Sequence, residues 1–127
     1  MTPEAAGYLA DAWESLSDGR KILTLGLTKV AARSAYYAAF HAAEALIYEA
    51  SGKPVKTHRG VRTEFARLTR DRLVPSPSLT GLLARAYQYK EIADYGASRS
   101  TTVLAADAEN LLASATEFVQ WVEAILA

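Results

Sequence analysis

Between Val30 and Ile47 the chain carries only two charged side chains, Arg33 and Glu44; the rest is mostly alanine, aromatic and aliphatic. The segment lacks the strict alternation of a half-buried strand and is too long for a fully buried one. A helix that is apolar almost all the way round belongs at the centre of a bundle, because every face must meet another element. Its expected span is Thr28–Ala50, closed by Ser51-Gly52 with Pro54 beyond.

The flanking sequence supplies the partners. A first helix is expected from about Pro3 to Leu25, with Thr2 as N-cap and Pro3 at the first helical position. Within it, Ser17-Asp18-Gly19 is expected to kink or split the helix, since Gly costs about 1 kcal/mol against Ala in a helix interior. Thr57 can cap a third helix reaching Thr69, and Pro75 and Pro77 make Arg70–Ser78 a connection. A fourth helix is expected over Leu79–Asp94, a small polar loop over Ala97–Thr102, and a fifth helix over Val103–Leu126. In that last helix Leu104, Leu111, Leu112, Ala115, Phe118, Val119, Val122 and Ile125 recur at helical spacing. The fold class that follows is all-α, an antiparallel bundle of about five helices forming a single domain over residues 1–127.

The absence of cysteine removes disulfides, thiolate zinc sites and thiol nucleophiles from consideration. Neither a secretory leader at Met1–Gly7 nor an uncharged apolar run long enough for a membrane span is evident, so a cytoplasmic location without membrane contact is expected. The charges balance at 14 basic and 14 acidic residues but are segregated. Lys53, Lys56, Arg59, Arg62, Arg67, Arg70 and Arg72 face only Glu64 and Asp71 in the same stretch, a pattern compatible with an anionic partner or with a solvated basic face.

On the central helix, Arg33, Tyr37, His41, Glu44 and Tyr48 fall in one stripe about 80° wide at 100° per residue. Buried charge is costly unless paired, so this stripe must meet partners on another helix, a water-filled cleft, or a second subunit. Tyr87, Lys90, Glu91 and Asp94 form a matching face on the fourth helix. Arg33 with Asp94 or Glu91, and Lys90 with Glu44, are the chemically sensible pairs; a polar network that only fixes helix register is the alternative. His41 has the chemistry of a general acid or base near neutral pH. His58, flanked by Lys56 and Arg59, should favour its neutral form. Two histidines without a third suitably spaced ligand argue against zinc, and there is no phosphate-cradling glycine loop, nucleophile elbow or dinucleotide fingerprint. No cofactor is expected.

The run Arg33-Ser-Ala-Tyr-Tyr-Ala-Ala-Phe-His41-Ala-Ala-Glu-Ala-Leu, with Thr57-His-Arg-Gly-Val61 and Ala93-Asp-Tyr-Gly96 in the same order, resembles the small prokaryotic branch of the HEPN superfamily. The resemblance implies an all-α bundle that usually forms a homodimer, acts on or binds RNA or nucleotides, and is often encoded beside a minimal nucleotidyltransferase in toxin–antitoxin or defence modules. It also implies metal-independent RNA cleavage by an Arg followed, after four to six residues, by His at the end of the fourth helix. Here that place reads Lys90-Glu-Ile-Ala-Asp-Tyr95, so both members differ. Lys keeps the charge without the bidentate fork of Arg, and Tyr, with a pKa of about 10, is a poor base at neutral pH. A substitute catalytic set would draw on Arg33, His41, His58, Lys90 and Tyr95; RNA or nucleotide would be held by Arg33, Tyr37, Arg59, Arg62, Lys90 and Asp94. The alternatives are a non-catalytic dimeric helical partner that docks a nucleotidyltransferase, with Tyr95 as a modification acceptor by analogy, and a plain dimeric scaffold.

Overall fold

The computed structural model describes residues 1–96 and 102–127, so the loop expected over 97–102 falls, except for Thr102, outside the described residues. Five α-helices occur and no strand is present among the described residues: α1 (Pro3–Thr24), α2 (Thr28–Ser51), α3 (His58–Thr69), α4 (Leu82–Tyr95) and α5 (Ala105–Leu126). The termini follow local chemistry. The Thr2 hydroxyl accepts from the Ala5 amide at 3.1 Å and Thr57 accepts from Gly60 at 2.9 Å. Gly52, at φ 71°, ends α2 in the left-handed conformation that favours glycine, and its N–H donates to the Tyr48 carbonyl.

Two starts lie later than the periodicity predicts. Leu79, expected to open the fourth helix, is instead buried in a single 3₁₀ turn, Pro77–Leu79, and Gly81 at φ 67° resets the chain before α4. Arg85 reaches back to fix this turn, donating to the Thr80 and Ser78 carbonyls at 2.5 and 2.6 Å. The fifth helix begins at Ala105 rather than Val103, with the Asp107 carboxylate accepting from the Leu104 N–H at 3.3 Å.

α2 is the hub and packs against each of the other four helices. Twelve of its residues are buried, eight of them alanine, so neighbouring backbones can approach closely. Its antiparallel pairing with α1 is tied at one end by the Thr2 N–H, which donates to Glu49 Oε1 at 2.7 Å. The kink expected at Ser17-Asp18-Gly19 does not occur: α1 is unbroken, and Gly19 is a packing site. A Cβ there would lie 2.7 Å from Leu112 Cδ2 and 3.0 Å from Ser34 Cβ, so the missing side chain lets α1 settle against α2 and α5 at once. One continuous core joins all five helices, including an aromatic group of Phe65, Phe118 and Trp121.

Candidate functional site

The polar stripe of α2 faces α4. Arg33 Nε donates to Asp94 Oδ1 at 2.5 Å, and the guanidinium lies 4.8 Å from the Tyr37 ring centre. Lys90, only 6% exposed, places its ammonium 3.1 Å from the other Asp94 oxygen. The expected Lys90–Glu44 pair is absent, because Asp94 sits one helical turn from Lys90 and Glu44 is engaged by His41. Burial works against both charges of the α4 pair. Hydrogen bonds and attraction from Lys90 and Arg33 nevertheless hold the Asp94 carboxyl below the usual carboxylate range. Asp94, with Tyr37 and Glu91, likewise keeps the Lys90 ammonium above its ordinary value against that burial.

His41 and His58 occupy different environments. His41 Nδ1 lies 2.7 Å from Glu44 Oε1, one turn along the same helix, and both side chains keep some solvent access. A carboxylate in that position orients the imidazole and leaves Nε2 as the nitrogen available for chemistry. His41, Tyr37 and Arg33 line a cleft of about 290 Å³ together with Ser15, Asp18 and Ser34.

His58 sits in an aromatic box. Its ring centre is 4.8 Å from Phe40, 5.4 Å from Tyr87 and 5.7 Å from Tyr36. The Tyr36 hydroxyl and His58 Nδ1 are 2.6 Å apart. Complete burial pushes the Tyr36 phenol far above its usual range, so the hydroxyl keeps its proton and donates. His58 Nδ1 must then accept, and the neutral ring carries its proton on Nε2. Burial, then the charges of Lys90 and Arg62, pushes His58 below its ordinary pKa. The neutral form expected from the sequence is thus favoured, but by groups from α4 and further along α3 rather than by Lys56 and Arg59.

The structure brings most of the candidate residues into one band. Arg33, Tyr37 and His41 share the cleft; Asp94 and Lys90 join it through Arg33, and Tyr95 lies 5.3 Å from the Lys90 ammonium at the exposed end of α4. Arg62 stacks 4.7 Å from the Tyr87 ring centre beside His58, whereas Arg59 is exposed on α3 and forms no side-chain hydrogen bond or ion pair with the band among the described residues. The partners that sequence reasoning missed are Tyr36, Phe40 and, for His58, Tyr87. The first two are one helical turn apart on α2, a usable signal, but their meeting with His58 depends on where α3 docks. Among the described residues no group of three or more His, Asp or Glu is placed to hold a metal ion. No helix there is long and apolar enough to cross a membrane.

A sequence model of the family described as HEPN domain matches residues 5–125. A UPF0332 protein of Archaeoglobus fulgidus is 36% identical over 81 residues, covering 64% of this chain and 63% of that protein. The chain therefore spans somewhat less than two thirds of the length of this curated relative.

Proposed function

Because the chain belongs to the HEPN domain family, we propose that it is an RNA-directed HEPN protein of a prokaryotic toxin–antitoxin or defence-type module. In this reading RNA or a nucleotide is held along the α2–α4 seam, and His41 is the acid–base group of metal-independent cleavage. The observation that carries it is the alignment of His41 by Glu44, 2.7 Å away, in the same cleft as Arg33 and Tyr37. Cleavage would proceed by attack of a ribose 2′-hydroxyl on the adjacent phosphorus with expulsion of the 5′-oxygen. His41 Nε2 would take the 2′ proton and return it to the leaving oxygen, while Arg33 stabilises charge on the phosphorane. Tyr37 offers a ring on which a base can stack. His58 is less suited to the role of base, since Nδ1 accepts from Tyr36 and Nε2 carries the proton.

A second reading rests on Asp94. It pairs with both Arg33 and Lys90, and Asp18 adds a second carboxylate to the cleft. An arrangement with its cations already paired suits a non-catalytic dimeric helical partner that docks a minimal nucleotidyltransferase. Incubation with mixed RNA in EDTA, beside His41→Ala and His58→Ala variants, separates the two. The first reading requires cleavage that disappears in His41→Ala and persists in His58→Ala. Cleavage untouched by His41→Ala removes the proposed chemistry. No cleavage by the unaltered chain, with RNA binding that weakens steeply with salt, leaves a binding protein. No cleavage and no binding, with stable co-purification of a nucleotidyltransferase, selects the partner role.

A further inference from the structure

The cleft that holds His41 lies between α1 and α2, and its two walls differ in chemistry. Arg33, Ser34, Tyr37 and His41 come from α2, and Ser15 and Asp18 come from α1. Asp18 is the one carboxylate lining the cleft among the described residues. It is exposed and forms no hydrogen bond or ion pair there, whereas Arg33 is taken by Asp94. Its backbone is well fixed, because the adjacent Gly19 seats α1 so closely on α2 that a Cβ would stand 3.0 Å from Ser34 Cβ. An anion held in that place repels a phosphate. What it attracts is a group rich in N–H donors, and in RNA that group is a base.

The four bases differ in what they offer an ionised carboxylate, which only accepts. Guanine presents two adjacent donors, N1–H and the 2-amino group, which match the two carboxylate oxygens much as a guanidinium edge does. Adenine and cytosine each place one amino group beside a ring-nitrogen acceptor, and uracil sets its N3–H between two carbonyl oxygens. In those three the second carboxylate oxygen meets a lone pair, and such repulsion discriminates as well as attraction does. Unpaired bases of single-stranded RNA expose this edge, with aromatic rings or Arg guanidinium planes covering their faces. Both kinds of surface stand in the cleft: the Arg33 guanidinium lies 4.8 Å from the Tyr37 ring centre and its side chain is 43% exposed. A volume of about 290 Å³ has room for one nucleoside and not for a base pair.

We propose that the cleft selects guanosine, the Asp18 carboxylate accepting from N1–H and the 2-amino group of an unpaired guanine. This selection rests on the proposed reading of the band as the place where RNA is held, to which it adds a base-reading residue from α1. Asp18 touches no reacting atom; it sets which nucleotide reaches Arg33 and His41. The hydroxyls of Ser15 and Ser34 donate or accept equally well, so they add affinity without choosing the base.

Calorimetric titration of the whole chain at low salt with the 3′-monophosphates of guanosine, inosine, adenosine, cytidine and uridine tests this. The guanosine nucleotide should bind at least tenfold tighter than each of the others; inosine, which lacks only the 2-amino group, is the closest control. Asp18→Asn, a nearly isosteric change at an exposed position, should remove the preference and bring adenosine level with guanosine, because an amide pairs with adenine through one donor and one acceptor. Arg33→Gln should weaken all five and leave their order unchanged. Equal affinity for the five, a guanosine preference that survives Asp18→Asn, or no nucleotide binding by a chain that binds mixed RNA would each overturn guanine selection alone. Binding of neither nucleotides nor mixed RNA would overturn the RNA reading with it.

Discussion

Arg33 and Asp94 meet at 2.5 Å across 61 residues of sequence, and that contact joins the polar stripe of α2 to the end of α4. Asp94 holds Lys90 on its second oxygen at 3.1 Å, so one carboxylate is shared between two cations, one of them almost fully enclosed. The arrangement resolves what the stripe demanded: charge on an otherwise apolar central helix has to be answered from a neighbouring element.

Replacing Asp94 by Asn should therefore be costly, chiefly through Lys90. Leaving a buried cation unpaired is expected to remove about 2–4 kcal/mol, towards the low side of buried pairs because Arg33 is partly solvated. Lys90→Met in the Asp94→Asn background should recover much of the loss. Denaturant unfolding of the four chains in a double-mutant cycle measures this; additive effects would show that the two residues are not coupled.

Tyr36→Phe keeps the ring packing and removes only the donor to His58 Nδ1. The expected cost is about 1–3 kcal/mol for the unsatisfied buried acceptor. The His58 pKa should rise, because a bond that favours the neutral ring is lost. Nitrogen-detected NMR of the imidazoles should show the Nε2–H tautomer for His58 in the unaltered chain. A protonated Nδ1 there would contradict the assignment.

Stability should depend on pH in two windows. His58 has a lowered folded pKa, so its contribution is fully present above its unfolded value, about 6.5, and is lost as pH falls through the folded value. Asp94 follows the same sign lower down: its contribution is present above the unfolded value, about 3.9, and disappears as pH falls through the depressed folded value. Unfolding midpoints measured from pH 8 to 5 should fall for the unaltered chain and stay flatter for His58→Asn. Equal slopes would show that His58 does not titrate differently on folding.

Two glycines of α1 should respond to alanine in opposite directions. Gly7 is exposed, and a Cβ at that position would have nothing within 4 Å, so Gly7→Ala should stabilise by about 0.5–1 kcal/mol through helix propensity alone. Gly19→Ala forces a methyl onto Leu112 and Ser34, and an overpacking penalty of about 1–3 kcal/mol should outweigh the same gain. Melting temperatures of the two variants check both signs in one helix.

Local rules account for what was legible in the sequence. The Thr2 and Thr57 caps and the Gly52 stop depend on a few adjacent residues, and all three appear where the sequence places them. The Arg33–Asp94 pair was legible for a different reason: two helices each had one polar face, and few alternatives existed for burying opposite charges. Long-range packing was not readable. Gly19 looks like a helix breaker until Leu112, on the last helix of the chain, is known to fill its place. The box around His58 takes walls from α2 and α4, so Tyr36, Phe40 and Tyr87 could not be assigned to it from the sequence. The choice between Asp94 and Glu44 for Lys90 turned on a single helical turn of spacing on α4.

The position of α2 against all four other helices also sets a hierarchy of motion. Amides from Arg33 to Ile47 can exchange with solvent deuterium only when the whole bundle opens, whereas the 70–81 connection, where Leu73 is 94% exposed, can exchange through local openings. The His41 cleft is thus mounted on the part of the molecule expected to exchange slowest, whereas the exposed 70–81 connection is expected to open without it. Local opening of that connection would leave the geometry of the seam intact.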